Sequence, residues 1–600
     1  MQGLKVGLEI HQQLAGKKLF CNCEAEICDK QPDLVIKRKI RAVAGEHGYI
    51  DVAAAHEQRK EKHFLYNCYN KYNCLIDIDE EPPQPVNKEA LETALVVAKL
   101  LNADIVDEIQ VMRKTIVDGS NVSGFQRTAL IAMNGYIEVE GRKIKIDTIG
   151  LEEDAAKVVE RNKNHDVYNL SRLGIPLIEI ATDASIDSPE LAQKAAEKIG
   201  MILRSTGKVK RGLGTIRQDV NVSIPLGCRV EIKGAQDLKM MPTLIKNEVM
   251  RQLTLVQIKK CIERYKLDKI FIDVTDVMKS CSSKIVQNTL NNNGVIYGVR
   301  LEGFNGLLGK ELMPGKRLGT ELSQYAKVAA GVGGLFHSDE LPKYGIEQSH
   351  VDSLRTKLGC LDEDAFIIIA DQKQKVLIGL EAAFGRAMKV QEGVLREVRN
   401  ALQDGTTVFL RPMPGAARMY PETDVLPVIA DASKLKLPKL ISDEKVDLEK
   451  LGLSKDLAML VAKENKAELL QRFVKQFKNL KPAFIAETMM PKLREIKRKY
   501  KVDVTGITDD KLEKVFIVLD KGDLPKEALD DVLCDIAKNG KCDFGRYKGI
   551  SDDELEKILK KIVSENKEAN FGKVIGLAMK ELRGKADGQK ISSMLKKMVK

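Results

Sequence analysis

The sequence predicts a multidomain α+β protein in which a sheet-centred first domain carries an α/β insertion and an all-helical third closes the chain. Three observations predict it. Alternating apolar runs recur over the first 280 residues, at 5–11, 144–149, 176–181, 215–224 and 229–233, with Gly- and Asp-rich turns between them. Near Ser280 the pattern breaks at Cys281-Ser-Ser-Lys and Asn291-Asn-Asn-Gly294, and a new α/β pattern runs to about Asn400, with glycines clustered at 303–319 and 331–334. From Ser442 onward Leu, Ile and Lys recur almost without interruption at helical spacing.

Each element has a local reason. Leu4, Val6, Leu8 and Ile10 open the chain as a strand. Helices are expected over 88–101, capped by Asn87, and over 189–206, capped by Ser188 with Pro189 at the first helical position. Arg411-Pro-Met-Pro-Gly-Ala-Ala-Arg-Met-Tyr-Pro421 reads as a rigid extended linker. In the helical third, Thr508-Asp-Asp and Ser551-Asp-Asp-Glu are acidic caps. The expected domains are 1–280 (a catalytic cradle, first part), 281–400 (the insertion), 401–440 (return and linker), 441–535 (helical) and 540–600 (tail).

Composition narrows the function classes. The chain has 600 residues, room for roughly three to five domains. It shows no apolar run of about eighteen residues and no signal peptide, so no membrane role is expected. Eleven cysteines at this density fit a reducing cytoplasm and not a disulfide framework. The net charge of +11 is modest, but residues 471–501 hold ten Lys/Arg against two acids, and 541–600 hold 15 against 9. A basic C-terminal third suits a polyanion such as RNA.

The chemistry concentrates in the first domain. Side chains alternate faces along a strand, so Glu9 and His11 project together opposite Leu8 and Ile10, a half-site for a cation. Glu179 sits inside an apolar run, where a buried carboxylate is costly unless paired, protonated or metal-bound. Glu152, Glu153 and Asp154 follow another strand and add more acids. Oxygens with one imidazole nitrogen suit Mg²⁺ or Mn²⁺ better than zinc. Arg217, Asp219, Asn221 and Ser223 share one face of the 215–224 run, and Arg229, Glu231 and Lys233 share a face of the next. Arg, Asp, Asn and Lys are the groups that clamp phosphate and metal in phosphoryl transfer, although a solvated sheet face alternates in the same way. The loop before them brings Lys208, Lys210 and Arg211 with Gly212 and Gly214, a plausible phosphate contact. No Walker P-loop and no Gly-x-Ser-x-Gly elbow exists, so a nucleotide would sit in a site of another kind and no obvious glutaminase nucleophile is encoded. Cys21-x-Cys23 with Cys28, Cys68 or Cys74 could hold zinc, but the spacing is not that of a zinc ribbon, which argues against a structural zinc site.

Together these motifs have a relative. Gly7-Leu-Glu-Ile-His-Gln-Gln-Leu14, Arg113-Lys-Thr-Ile-Val-Asp-Gly-Ser-Asn-Val-Ser-Gly-Phe-Gln-Arg-Thr128, Leu151-Glu-Glu-Asp-Ala155, Arg172-Leu-Gly-Ile-Pro-Leu-Ile-Glu-Ile180 and Val209-Lys-Arg-Gly-Leu-Gly-Thr-Ile-Arg-Gln-Asp219 resemble the GatB/GatE family, above all the E subunit of archaeal glutamyl-tRNA(Gln) amidotransferases, and more loosely the bacterial B subunit. Leu301-Glu-Gly-Phe-Asn-Gly-Leu-Leu-Gly309 and Gly315-Lys-Arg-Leu-Gly-Thr-Glu321 resemble the inserted domain shared with bacterial-type aspartyl-tRNA synthetases, which favours the archaeal type over the bacterial. Met419-Tyr-Pro-Glu-Thr-Asp424 resembles the entry to the helical region, and 572–588, with Arg583-Gly-Lys-Ala-Asp587, the tail. Residues 25–73 match weakly, and Cys28 and Cys68 fall outside the pattern.

The resemblance implies a reaction. ATP phosphorylates the γ-carboxylate of Glu on misacylated tRNA(Gln), and ammonia displaces the phosphate to give Gln-tRNA(Gln). It also implies an asparaginase-like D subunit that supplies ammonia through an internal channel, a D2E2 heterotetramer, and metal ligands at Glu9, His11, Glu179 and one of Glu152 or Glu153. Arg217, Asp219, Asn221 and Lys233 are expected to handle the nucleotide or the acyl phosphate, and the tail to grip tRNA. The alternative is a non-catalytic tRNA-binding scaffold subunit; a small-molecule ligase fits the basic tail less well.

Overall fold

The computed structural model describes residues 3–42, 50, 54, 57–58, 61–162, 164–413, 419–547, 552–566, 571–582, 586 and 588–598. The chain divides into two compact units, Met1–Leu437 and Pro438–Lys600. No helix among the described residues is long and apolar enough to cross a membrane.

The first unit is built on an 11-stranded sheet. Ten strands form its path: β1 (Lys5–Gln13), β2 (Val111–Thr115), β3 (Phe125–Val139), β4 (Arg142–Glu153), β5 (Pro176–Thr182), β6 (Ile216–Ser223), β7 (Val230–Lys233), β8 (Glu397–Ala401), β9 (Thr407–Pro412) and β10 (Met419–Pro421). Their order is β9-β8-β7-β6-β1-β5-β4-β3-β2-β10, and Asp104–Ile105 adds to β3. Only β7 and β8 run parallel; the other neighbours are antiparallel. The first strand thus lies in the middle, between β5 and β6. Leu8, Ile10, Ile178, Ile180, Val220 and Val222 are fully buried. Helices Pro189–Ser205 and Met241–Ile262 pack on this sheet.

The expected helix starts are present. Asn87 accepts from the Ala90 amide at 3.0 Å, and Ser188 accepts from Leu191 at 3.3 Å. The expected linker differs. Its flanks are the strands β9 and β10, because Val408 to Arg411 pair with β8 and Tyr420 pairs with Arg113; residues 414–418 lie outside the described residues. So do Ser551 and most of the Arg583-Gly-Lys-Ala-Asp587 motif. The weakly matching 25–73 stretch supplies Leu34–Arg38 and His63–Cys68 to a separate four-stranded sheet with His165–Asn169 and Lys157–Arg161.

A third sheet lies within the region where an insertion was expected. It joins Ile272–Asp273, Val295–Leu301, Ala365–Asp371 and Phe336–His337, so its first strand precedes the boundary expected at 281. A fully buried charge cluster ties its neighbouring helices to the edge of the main sheet. Arg251 from Met241–Ile262 and Arg386 from Lys373–Val390 donate to Glu321 of Leu318–Ala330 at 2.8 and 2.6 Å. Arg251 also reaches Glu248 at 3.0 Å and Glu397 at 2.5 Å, and Arg399 on β8 reaches Glu397 at 2.6 Å. Three guanidinium groups face three carboxylates, which keeps the cluster neutral where solvent cannot. The second unit has two helical cores, one within 441–536 and one within 555–595.

Removing one carboxylate should therefore be severe. Glu321→Gln is expected to destabilise the first unit by about 3–5 kcal/mol, since it strands guanidinium charge in the core. Equilibrium denaturation checks this; an unchanged midpoint contradicts it.

Candidate active site

The order β4-β5-β1-β6-β7 sets one continuous polar face across five strands. In the β1–β5 register His11 stands opposite Glu179. In the β1–β6 register Glu9 stands opposite Asp219, His11 opposite Arg217 and Gly7 opposite Asn221. Glu179 faces Gly150 on β4, and a Cβ there would lie 3.9 Å from that of Glu179. Glu152, two residues on, shares the Gly150 side of the strand. Lys233 and Glu231 continue the face on β7. The opposite face holds the apolar core, so the strand alternation read in the sequence is what sorts these groups together.

Two triads of potential ligands share His11. Glu9, His11 and Asp219 form one, and His11, Glu152 and Glu179 the other; within each triad the donor atoms lie within 4.8 Å of one another. The expected ligands Glu9, His11, Glu152 and Glu179 therefore come together, but as two overlapping groups around the imidazole. Glu153 does not join them, contrary to the expectation that either acid could serve. It projects from the other side of β4, accepts from the Arg127 amide at 2.9 Å, and lies 3.7 Å from the Arg127 guanidinium. Asp154 also stays outside, since its carboxylate accepts from Arg217 at 2.7 Å and from Gln13 at 2.6 Å.

The face is charged and dry enough for strong shifts. Burial alone would lower the His11 pKa, but Glu152, Glu179 and Asp219 outweigh it and raise it above the ordinary value. Burial and the neighbouring Glu152 charge raise Glu179. Glu152 is 2 % exposed, yet Lys114 and His11 overcome its burial and hold it well below the usual carboxylate range. Lys233 does the same for Asp219, at 2.7 Å, and also pairs Glu231 at 2.5 Å. Asn221 donates to Glu9 at 2.9 Å.

Lys114 is the residue that reading the residues alone missed. Its ammonium lies 3.0 Å from Glu152 and 3.9 Å from Glu179, directly in the second triad. Its strand β2 shows little alternation, so only the motif it belongs to pointed to it. Glu422 was missed likewise: it binds Arg113 at 2.5 Å and Arg127 at 2.7 Å, joining the 419–424 motif to β2 and β3.

The residues fit a hard cation. The His11 Nδ1 is buried without a hydrogen-bond partner among the described residues, 3.6 Å from Glu152, and the Asn221 amide oxygen is buried and unpartnered too. An imidazole nitrogen, carboxylates and an amide oxygen form an oxygen-rich donor set. The glycine loop is placed differently from expectation. Lys210 turns to Glu26 at 2.8 Å and the carbonyl of Ala25, away from the acids. Gly212 and Gly214 have φ of +118° and +79° with open space around them, and Arg211 is exposed.

A second donor cluster lies elsewhere in the unit. Cys21, Cys23, Cys74 and Asp77 bring their donor atoms within 4.8 Å of one another, although the spacing argued against a zinc site; Cys28 and Cys68 are not in the group. The fold closes it, by placing 74–77 beside the Cys-x-Cys turn. The Cys21 and Cys23 thiols beside it lower the Cys74 thiol to about 2. Lys18, buried, donates to Asp77 at 2.8 Å.

Comparison with known proteins adds a family to this geometry. Residues 4–436 match the GatB/GatE catalytic domain, and residues 468–599 the GatB domain. The chain is 46% identical over 627 aligned residues to the E subunit of the glutamyl-tRNA(Gln) amidotransferase of Methanocaldococcus jannaschii, covering 100% of this chain and 98% of that protein. With the corresponding proteins of Methanococcus maripaludis and Sulfolobus acidocaldarius the identity is 44% and 42%, at the same coverage.

Proposed function

This chain belongs to the GatB/GatE family, and from that premise we propose that it activates and amidates Glu on misacylated tRNA(Gln). The observation that carries the reading is the shared face of Glu9, His11, Glu152, Glu179, Asp219 and Lys233 in a catalytic domain of that family. A free carboxylate resists attack by ammonia; phosphorylation by ATP makes its oxygen a leaving group. Phosphoryl transfer depends on placed charge more than on a covalent nucleophile. The scaffold alternative explains less, because a pure binder gains nothing from an acid cluster that burial makes costly.

The roles follow from position. Glu9, His11, Glu152 and Glu179, with Asp219 at the edge, would hold Mg²⁺ or Mn²⁺. When bound, the cation would neutralise charge on the phosphoryl oxygens. Arg217 and Lys233 would meet the phosphate oxygens, and Asn221 orients Glu9 through its amide hydrogen bond. Lys114 would balance the acids until substrate arrives. Cys21, Cys23, Cys74 and Asp77 would hold a structural Zn²⁺, with thiolate ligands and a carboxylate. Ammonia would come from an asparaginase-like D subunit in a D2E2 assembly in the cytoplasm, and the third sheet would belong to the synthetase-like insertion.

The second unit would grip tRNA. Of the ten cations within 471–501, Arg472, Lys492, Arg494 and Lys499 make ion pairs. Lys475, Lys478, Lys481, Lys497, Arg498 and Lys501 make none among the described residues, which leaves them for phosphates.

Transfer of labelled γ-phosphate from ATP to glutamyl-tRNA tests the reaction. Activity is expected in the native chain and a loss of at least about 100-fold in Glu179→Gln; unchanged turnover refutes the site. Mn²⁺ titration separates the neighbouring acids: Glu152→Gln should weaken binding at least about tenfold, and Glu153→Gln should leave it alone. Equal effects would overturn the assignment. For zinc, the purified chain should carry about one equivalent by metal analysis, lost in Cys74→Ser; a metal-free native chain rules the site out. Deleting 541–600 should raise KM for tRNA while kcat at saturation holds; the reverse pattern removes the grip.

A further inference from the structure

The buried carboxylate of Asp154 is not among the ligand triads, and the proposed chemistry gives it no part. It is 1 % exposed and lies just past the end of β4. Its Oδ1 accepts from the Arg217 guanidinium at 2.7 Å and from the Ala155 amide at 2.9 Å. Its Oδ2 accepts from the side-chain amide of Gln13, itself 1 % exposed, at 2.6 Å. That contact settles the amide's orientation, since a carbonyl oxygen could not face a carboxylate.

Gln13 is also tied to the loop that precedes Arg217. Its backbone amide donates to the Thr215 carbonyl at 2.9 Å, and its carbonyl accepts from the Lys210 amide at 2.9 Å. Gln12 adds bonds from its side-chain amide to the carbonyls of Lys210 and Thr215, at 3.2 and 3.1 Å. The Lys210–Thr215 loop is thus closed at its neck by the end of β1, and Arg217 leaves that neck two residues from the last of these bonds.

A merely structural ion pair would look different. Arg172 already supplies a counter-charge, 3.8 Å from Asp154, while its guanidinium donates to the carbonyls of Ala155 and Ala156 at 2.7 Å each. The Arg217 side chain is instead 25% exposed, and only one of its nitrogens is engaged among the described residues. It stands opposite His11 in register and within the electrostatic reach of Glu152 and Asp219.

We propose that Asp154 is a positioning residue that, clamped by Gln13, fixes the Arg217 guanidinium on the sheet face so that its remaining N–H groups meet the phosphoryl oxygens of a nucleoside triphosphate. The inference rests on the phosphoryl-transfer reading above. A flexible arginine would contact the same oxygens but would lose side-chain entropy on each encounter. A guanidinium held from behind has lost it already.

The test is a binding cycle with a non-hydrolysable ATP analogue and Mn²⁺, on the full chain, in native, Asp154→Asn, Arg217→Ala and doubly substituted proteins. Each single substitution should weaken binding about tenfold, as loss of a hydrogen bond to a charged group does. The double variant should be no weaker than Arg217→Ala alone. Millimolar guanidinium should restore the Arg217→Ala protein and fail to restore the double variant. Gln13→Met, which keeps the bulk and removes the clamp, should weaken binding by a smaller factor that disappears without Arg217. Additive losses, or equal rescue in both backgrounds, would overturn the brace. Thermal midpoints within a degree or two of native separate these effects from misfolding. If the native chain binds the analogue but transfers no phosphate, the proposed reaction fails and the brace stands; if it binds no analogue, both fall.

Discussion

Everything at the site depends on the pairing of β1 between β5 and β6. That register sets His11 opposite both Glu179 and Arg217 and sets Glu9 opposite Asp219. Because side chains alternate with a period of two, a slip of one residue would send Glu9 and His11 into the core and bring Leu8 and Ile10 to the face. The core enforces the correct register: Leu8 and Ile10 have no exposed surface, and they pack beside Ile178, Ile180, Val220 and Val222. Burying these apolar groups, at roughly 1.5–3 kcal/mol for each side chain, is what holds the polar set in line. Stability on one face of the sheet is thus the source of geometry on the other.

The cost of that geometry is electrostatic, and the structure meets it locally. Four carboxylates crowd one imidazole, and Glu152, Glu179 and Asp219 each have an ammonium within reach. Lys114 lies beside Glu152, Lys233 beside Asp219, and the imidazole gains a proton affinity above its ordinary value from the acids around it. Glu179 is less well compensated than Glu152, with its nearest ammonium 3.9 Å away, and burial and the Glu152 charge move its pKa up. The Arg251–Glu321–Arg386 cluster meets the same problem by pairing guanidinium with carboxylate, although one nitrogen of Arg386 and one oxygen of Glu248 are buried without a hydrogen-bond partner among the described residues. At the site, His11 Nδ1 and Asn221 Oδ1 likewise have no hydrogen-bond partner among the described residues, and these are atoms that a cation could engage.

The two halves of this picture were unequally legible in the sequence. The strands at 5–11, 176–181 and 215–224 and their polar faces were readable, because alternation is a local signal that tertiary structure only has to preserve. Glu9, His11, Glu179 and Asp219 were found that way. The choice between Glu152 and Glu153 was not readable, since both follow the same run and only the register with β5 says which side each takes. Lys114 escaped because β2 alternates weakly; Cys74 was named with Cys28 and Cys68 as a possible partner of Cys21 and Cys23, but which of the three joins them, and that Asp77 does too, is set by a turn distant in sequence. The stretch 411–421 was read as a rigid extended linker from its prolines and glycine, while its flanks are edge strands, where proline is tolerated because one side of the strand has no partner to lose.

The same distinction between local and long-range signals applies to the glycine loop. Lys208, Lys210 and Arg211 with two glycines have the composition of a phosphate loop, and composition is all that a local reading sees. In the fold the Lys210 ammonium turns toward Glu26 and the Ala25 carbonyl, and the loop is strapped at its neck by Gln12 and Gln13. Its glycines serve the backbone: φ values of +118° and +79° at Gly212 and Gly214 let six residues return on themselves between two bonds to Gln13. What the loop delivers to the face is the residue that follows it, Arg217, and it delivers that residue at a fixed height above β1. The bonds of the loop to Gln12 and Gln13 thus set where the strand that carries Arg217 begins.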